Sequence, residues 1–160
     1  MTIDNTAQNS RWISIGAALV SVAIGLGAWA AHGLEKFIAA QYAGQTKLVA
    51  GQTIPAVTKY VGDFKTAADY QLSQGLGLIL LGILITRRPS RALRVAGVCI
   101  LLGTLLFSGS LYVLVLTGIT KFGAITPIGG LLLIMGWVLI AYGACPCRCR
   151  ANQDCGIVSE

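Results

Sequence analysis

The chain has 160 residues, of which 55% are hydrophobic and 11% charged, and its mean hydropathy is +0.73. This composition excludes an ordinary soluble domain, in which about 25% of residues are charged. The net charge is +6, but the basic residues flank apolar segments and lack the interleaved aromatic residues of a base-stacking surface. The sequence therefore predicts a protein whose main partner is the lipid bilayer, with no nucleic-acid partner.

Four apolar segments approach the length of about 20 residues that a helix needs to cross a hydrocarbon core of about 30 Å. We predict an all-α integral membrane fold, an up-down-up-down bundle of four transmembrane helices within residues 11–144. The polar residues 1–10 lack an apolar period and are expected to form a mobile N-terminal tail. The predicted spans cover about 13–34, 69–86, 93–117 and 126–144.

The first span contains Ala28-Trp29-Ala30, which has the small-x-small form of a signal-peptidase site. Its apolar run is longer than that of a typical signal peptide, and Arg11 is the only basic residue before it. We expect a retained helix, and cleavage within residues 1–30 is the alternative.

The connection between the first two spans, residues 35–68, is long and carries apolar residues throughout. Phe37, Tyr42 and Phe64 give it enough apolar surface to lie at the membrane interface. We predict an interfacial first loop with a short surface helix that leads into Asp69.

Small residues recur at helical spacing in every predicted span. They let helix backbones approach closely, which matters because lipid provides no hydrophobic drive for helix pairing. The first helix repeats them every four residues and the other three every seven, which matches a left-handed bundle with crossing angles of about +20°. The predicted packing residues are Ala17, Ser21, Gly25, Gly75, Gly82, Gly103, Gly129 and Gly136.

The basic residues are distributed unevenly across the predicted topology. Seven of the twelve fall on the side that carries both termini. Arg87, Arg88, Arg91 and Arg94 crowd the short connection between the second and third spans. The positive-inside rule therefore predicts that the N- and C-termini are cytoplasmic.

Residues 145–160 form a C-terminal tail rich in cysteine and arginine. Its thiols suit a soft metal such as Zn²⁺ or Cu(I), although their one-residue spacing differs from that of a zinc knuckle. Juxtamembrane acylation and a tail without function are the alternatives, and no other cofactor is expected. The candidate ligands are Cys145, Cys147, Cys149 and Cys155.

Several sequence blocks carry a resemblance to known proteins. They are Gly27-Ala28-Trp29-Ala30-Ala31-His32-Gly33-Leu34, Ala67-Ala68-Asp69-Tyr70-Gln71, Phe107-Ser108-Gly109-Ser110-Leu111-Tyr112, Leu116-Thr117-Gly118, Gly123-Ala124-Ile125-Thr126-Pro127-Ile128-Gly129-Gly130 and Gly136-Trp137. Together they resemble the bacterial family called domain of unknown function 423, which is related to eukaryotic transmembrane protein 256. The resemblance extends from about residue 14 to 142, and it implies a four-helix protein of a bacterial-type inner membrane without an established biochemical activity.

The chain departs from the family pattern at three places. Gln74 stands where relatives usually carry a histidine, the first loop is longer than usual, and the tail from Cys145 has no counterpart. If His32 and that histidine form a metal or proton pair in relatives, this chain cannot form it.

The predicted topology brings the polar residues of these blocks toward the same, extracytoplasmic face. Tyr70, Ser73 and Gln74 follow i, i+3, i+4 spacing and share one side of the second helix. The cluster is either a small binding pocket or partner-docking surface, or a set of interhelical hydrogen bonds worth about 0.6 kcal/mol each. Its residues are His32, Tyr70, Gln74, Ser108, Ser110 and Thr126.

Charged and catalytic groups are missing from the interior of the predicted spans. Ion-coupled transporters normally keep ionisable residues at mid-membrane, and one histidine with isolated serines forms no nucleophile–base set. We therefore predict a non-enzymatic accessory or assembly subunit of a larger membrane complex, with other membrane subunits or a second copy as partners. The alternatives are a passive binding or channel-like protein for a small neutral or lipidic solute and, with weaker support, metal handling by the cysteine tail.

Overall fold

The fold comes from a computed structural model, which describes the backbone of residues 3–145 and the side chains of residues 11–145. Five α-helices, a β-hairpin and a 3-10 helix follow one another along this part of the chain. In order they are α1 (Ile3–His32), α2 (Leu34–Ala39), β1 (Thr46–Val49), β2 (Gln52–Pro55), α3 (Ala56–Arg87), α4 (Arg91–Thr117), the 3-10 helix (Thr120–Ala124) and α5 (Thr126–Ala144).

Within the described residues, four helical segments are long and apolar enough to cross a membrane. Individual residues determine where α4 stops and α5 starts. Gly118 takes a φ of 75° and stops α4 in a left-handed cap, and Pro127 lies in the first turn of α5, where its missing N–H needs no partner. The segments are Arg11–His32, Ala56–Arg87, Arg91–Thr117 and Thr120–Ala144.

The N-terminal segment is helical from Ile3, which differs from the mobile tail predicted for residues 1–10. The absence of an apolar period in these residues does not exclude a helix. Helix propagation is cooperative, however, and an established helix extends into polar residues at low cost because each new residue adds a backbone hydrogen bond.

The first loop is shorter than predicted because its last part, residues 56–68, belongs to α3. Ala56, Tyr60, Phe64 and Ala67 are buried, and spacings of three and four residues place them on one helix face. The short surface helix predicted before Asp69 is therefore the first part of a single 32-residue helix. The polar residues between these positions hide the helical period from a simple hydropathy scan.

An antiparallel hairpin lies between α2 and α3 in the rest of this loop, and the sequence did not predict it. β1 pairs with β2 so that Val49 faces Gln52. Ala50 and Gly51 between them have φ values of 48° and 81°, the left-handed geometry that a two-residue hairpin turn of type I′ requires. Alanine is uncommon there, which explains why the turn gave little sequence signal.

α3 and α4 form the centre of the bundle. α1 packs against α3 and α5 packs against α4. Gly16 of α1 lies opposite Gly75 of α3, and Leu19 lies opposite Gln71, so these two helices run antiparallel. The apolar windows of α1 and α5 are only 17% buried, against 50% for α3 and α4, so α1 and α5 flank the bundle and expose most of their surface.

Two hydrophobic clusters form at opposite ends of the bundle. The hairpin-end cluster contains buried aromatic residues from the loop and from the start of α3, whereas the arginine-end cluster, toward the Arg87–Arg94 connection, is purely aliphatic. The hairpin-end cluster comprises Ala30, Leu34, Ile38, Tyr42, Ala56, Tyr60, Phe64, Ala67, Leu111, Leu114 and Val115. The arginine-end cluster comprises Leu78, Leu81, Ile85, Leu93, Ile100 and Leu133.

Glycines mark the closest contacts between helices. A Cβ added to Gly16 would lie 2.6 Å from the Gly75 carbonyl oxygen, and one added to Gly129 would lie 2.5 Å from the Phe107 nitrogen. Only a hydrogen fits at such positions without a backbone shift. Of the predicted packing residues, Gly75, Gly103, Gly129 and Gly136 lie in these interhelical contacts and Gly82 is buried.

The small-residue stripe predicted on α1 faces outward, away from these contacts. Ala17, Ser21 and Gly25 are exposed, and a Cβ added to Gly25 would meet nothing within 4 Å. Gly16 and the buried Ala23 lie on the covered face instead. Because α1 carries small residues on several faces, their four-residue spacing did not identify the face that α3 covers.

Candidate functional site

A band of neutral polar side chains crosses the bundle where the two clusters meet. Its side chains come from the middle of α3, the second half of α4 and the start of α5, and the indole of Trp137 is added from further along α5. We call it the polar band, and it comprises Gln71, Gln74, Thr104, Ser108, Ser110, Tyr112, Thr126 and Trp137.

The α4–α5 side of the band is held by two hydroxyl groups. The Ser110 and Thr126 hydroxyl oxygens lie 2.8 Å apart, and Ser110 Oγ lies 3.0 Å from the Phe107 carbonyl oxygen. Ser110 has one proton, so when it donates to Phe107 the Thr126 hydroxyl donates to Ser110. The structure thus brings two predicted cluster residues into direct contact.

The α3–α5 side of the band is held by an amide and an indole. Trp137 Nε1 donates to Gln74 Oε1 at 2.8 Å, and a Cβ on Gly77 would lie 2.9 Å from the Trp137 ring. Gln74 was predicted as a member of the polar cluster, whereas its partner Trp137 was not. Gly77 one turn after Gln74 was the only sequence sign that a large ring lies against this face.

Beside this pair lies an apolar groove of about 390 Å³. The Tyr70 and Phe107 rings, with centroids 4.5 Å apart, form one wall, and Tyr70 remains 44% exposed. Gln74 and Trp137 supply the polar edge. The groove can accept an apolar molecule with a small neutral hydrogen-bonding group.

Two buried hydroxyl groups in the band have no hydrogen-bond partner among the described residues: Ser108 Oγ and Tyr112 Oη. They lie one turn apart on α4. Ser108 is 1% exposed, and Tyr112 lines a second cavity of about 260 Å³ between α1 and α4. Gln71 lines the same cavity and donates from Nε2 to the Leu19 carbonyl oxygen at 2.9 Å.

His32 and the cysteines stand apart from the band. His32 is exposed at the end of α1, away from the polar contacts predicted for it. Cys145 is exposed and is the last residue described, and the other three candidate metal ligands lie outside the described residues. Among residues 11–145, whose side chains the structure describes, no three His, Cys, Asp or Glu side chains lie close enough together to hold a metal ion. The candidate ligands outside the described residues are Cys147, Cys149 and Cys155.

A tyrosine fastens the loop to α4 next to the band. Tyr42 Oη donates to the Val115 carbonyl oxygen at 2.8 Å. Burial raises the pKa of Tyr42 above its ordinary value of 10.0, and the neighbouring Tyr60 raises that pKa further. The phenol therefore stays neutral and keeps donating throughout the physiological pH range.

The polar band offers hydroxyl, amide and indole groups, which are neutral donors and acceptors. With four apolar helices around it, this arrangement defines a small polytopic membrane protein. A family model described as protein of unknown function (DUF423) matches residues 26–130, so the chain belongs to that family, and the resemblance predicted from its sequence blocks is confirmed.

Curated relatives agree with this assignment. A UPF0382 membrane protein of Staphylococcus haemolyticus is 40% identical over 81% of this chain and 90% of its own length. Relatives of the same name from Staphylococcus saprophyticus and Bacillus subtilis are 39% and 35% identical over 82% and 83% of this chain, and over 94% of their own lengths. These names and the four apolar helices confirm the predicted class, an all-α integral membrane protein. No solved structure matches the chain.

Proposed function

We propose that this protein is a non-catalytic accessory or assembly subunit of a larger complex in the bacterial inner membrane. The observation that carries the proposal is the uncovered small-residue face of α1. Ala17, Ser21 and Gly25 face away from α3, and the Ser21 hydroxyl is already bonded to the Ala17 carbonyl oxygen at 2.9 Å. A flat surface of this kind lets the helix of another subunit approach closely in lipid.

The distribution of charge supports a role in association. α5 contains no Asp, Glu, Lys or Arg from Thr126 to Ala144, and α4 contains none after Arg94. Ion-coupled transporters normally keep ionisable groups at this depth, and the neutral polar band contains no general base. Arg11 and the arginines between α3 and α4 favour cytoplasmic termini by the positive-inside rule.

Substitutions on the exposed face of α1 test the subunit role. Gly25→Leu should fill the space that a partner helix would occupy, while leaving the chain's own packing intact because a Cβ there has no neighbour within 4 Å. Ile24→Leu, at a position that is 60% exposed, is the matched control. Native-membrane extraction with a mild detergent and sizing should give a large complex for the wild type and the control, and a smaller species for Gly25→Leu.

Two results would contradict the proposal. One is a wild-type chain that elutes as a free monomer without stoichiometric partners. The other is a Gly25→Leu variant that retains the same complex as Ile24→Leu.

A second candidate function, passive binding of a small neutral or lipidic solute, is favoured by the groove of about 390 Å³ at Tyr70, Gln74 and Trp137. Ile134→Phe should fill the groove, while Leu131→Phe on the same helix lies outside its lining. Mass spectrometry of organic extracts from purified protein should find a molecule that Leu131→Phe retains and Ile134→Phe loses. Equal extracts from both variants would rule this candidate out.

A further inference from the structure

A second groove runs between α1 and α4 over the surface of α3. Its first cavity, of about 200 Å³, is lined by Arg11, Trp12, Ile15 and Leu101. One helical turn further along, Leu19 and Leu105 line the cavity of about 260 Å³ that continues toward the hairpin end. Phe64 lies against Tyr112 and Leu81 lies against Gly97, so α4, like α1, runs antiparallel to α3. α1 and α4 therefore run parallel to each other, and these two cavities follow one another along a single groove.

The open end of this groove is basic. Arg11 lines the first cavity and is exposed. Arg94 is exposed on α4 one turn before Gly97, and a Cβ on Gly97 would lie 2.9 Å from the Trp12 ring. Both arginines therefore lie at the same end of the groove as Trp12. Guanidinium groups bind phosphate in a bidentate manner.

The length of the apolar part corresponds to one leaflet. From Arg11 to Val22, which lines the second cavity, α1 rises about 16 Å at 1.5 Å per residue. That is roughly half of a hydrocarbon core of about 30 Å. Ile15 and Leu19 line this stretch on α1, and the Tyr112 hydroxyl, which has no hydrogen-bond partner in the described part of the chain, lies beyond it toward the hairpin end.

We infer that this groove binds an anionic phospholipid of the arginine-side leaflet, with its phosphate at Arg11 and Arg94 and one acyl chain along the groove. Trp12 lies where an interfacial aromatic residue meets a headgroup. A second copy of the chain that docked its own α1 here would bring Arg11 toward Arg94, and these like charges would repel each other. The inference is independent of the subunit role proposed above.

Quenching of Trp12 fluorescence tests this site directly. The full chain with Trp29→Phe and Trp137→Phe retains Trp12 as its only tryptophan, and it is reconstituted into phosphatidylcholine vesicles that contain a minor, fixed fraction of one brominated lipid. Brominated phosphatidylglycerol should quench more strongly than brominated phosphatidylcholine. Arg11→Gln should weaken the apparent preference for phosphatidylglycerol about fivefold, the effect of one basic residue near a membrane surface.

Matched variants separate a defined site from general surface attraction. Arg87→Gln removes a charge at the same end of the bundle, on α3 and outside the groove lining, and should largely keep the preference. Leu101→Phe should fill the groove and reduce quenching without changing the charge, with circular dichroism as the check on helix content. Equal quenching by the two brominated lipids, or equal losses in Arg11→Gln and Arg87→Gln, would overturn the inference.

Native mass spectrometry of the unaltered chain gives a second measurement that requires no variant to fold. From an equimolar mixture of phosphatidylglycerol and phosphatidylcholine, we expect a predominant adduct of one phosphatidylglycerol molecule. Equal adducts of both lipids, or a dimer without bound lipid, would contradict it.

Discussion

At the hairpin end of the bundle, Phe64 is fully buried with its ring centroid 5.5 Å from that of Trp29 and 4.7 Å from that of Tyr112. At the arginine end, the buried cluster contains only leucine and isoleucine, and glycines such as Gly16 bring the helices together. The hairpin end is packed in the manner of a soluble protein core, where large aromatic side chains dominate burial. The arginine end is packed as helices are in lipid, where close contact between helix backbones stabilises association because burying apolar side chains gives little gain.

This difference arises from the lengths of the helices. α3 has 32 residues and α5 has 19. The first turns of α3 therefore reach beyond Thr126, where α5 begins. There they pack with α2, Tyr42 and the end of α4 to form the hairpin-end cluster, and they also contact the hairpin. One chain thus combines a membrane bundle with a small folded region, residues 34–67, which we call the cap.

The largest expected effect distinguishes the two cores directly. Phe64→Ala should destabilise the protein by about 3–5 kcal/mol, the usual cost of removing a buried phenylalanine. Leu78→Ala, equally buried at the arginine end, should cost only about 1–2 kcal/mol because lipid is as apolar as the leucine side chain and the loss is mainly one of packing. Unfolding titrations in mixed detergent micelles measure both, and equal losses would remove the distinction.

The second prediction concerns close approach at the arginine end. Gly16→Ala should cost about 1–3 kcal/mol by overpacking, because the added Cβ would lie 2.6 Å from the Gly75 carbonyl oxygen. Gly25→Ala on the same helix, with no atom within 4 Å of its Cβ, should be neutral or slightly stabilising through helix propensity. The same titrations compare the two variants, and a harmless Gly16→Ala would show that α1 and α3 can separate.

The third prediction uses pH to test the cap alone. Tyr42→Phe should cost about 1 kcal/mol, since it removes the hydrogen bond to the Val115 carbonyl oxygen. Because burial raises the pKa of Tyr42 above 10.0, its contribution is fully present below pH 10.0 and is lost as pH rises through the folded-state pKa. The protection factors for hydrogen exchange in residues 46–55, which correct for the base-catalysed intrinsic rate, should fall at high pH in the wild type and change less in Tyr42→Phe.

The smallest effect is expected between the clusters. The Trp137–Gln74 hydrogen bond should contribute about 0.6 kcal/mol, the average for interhelical bonds in membranes. A double-mutant cycle with Trp137→Phe and Gln74→Leu isolates this coupling. A coupling of several kcal/mol would mean that the polar band is a structural core in its own right.

Much of the membrane part could be predicted from the sequence. Four apolar segments and the glycines at Gly75, Gly103, Gly129 and Gly136 follow directly from the solvent properties of lipid. The sequence could not predict that Ala17, Ser21 and Gly25 face outward. Small residues lie on several sides of α1, and only the packing of α3 determines which side is covered.

The cap and the details of the site were harder to predict. Tyr60 and Phe64 belong to a helix face that is buried only because the preceding loop and the end of α4 pack over it. Ser110 and Thr126 were expected together, and they are. Trp137 was not expected opposite Gln74, because a single indole in the interior of an apolar helix does not reveal which neighbouring helix it faces.

The continuity of α3 has a mechanical consequence. At 1.5 Å per residue its 32 residues form a rod of about 48 Å, well beyond the hydrocarbon core of about 30 Å. It runs without a break from the hairpin after Pro55 to the arginine connection at Arg87. A rigid rod of this length couples the position of the hairpin at one end of the bundle to that of the basic turn at the other.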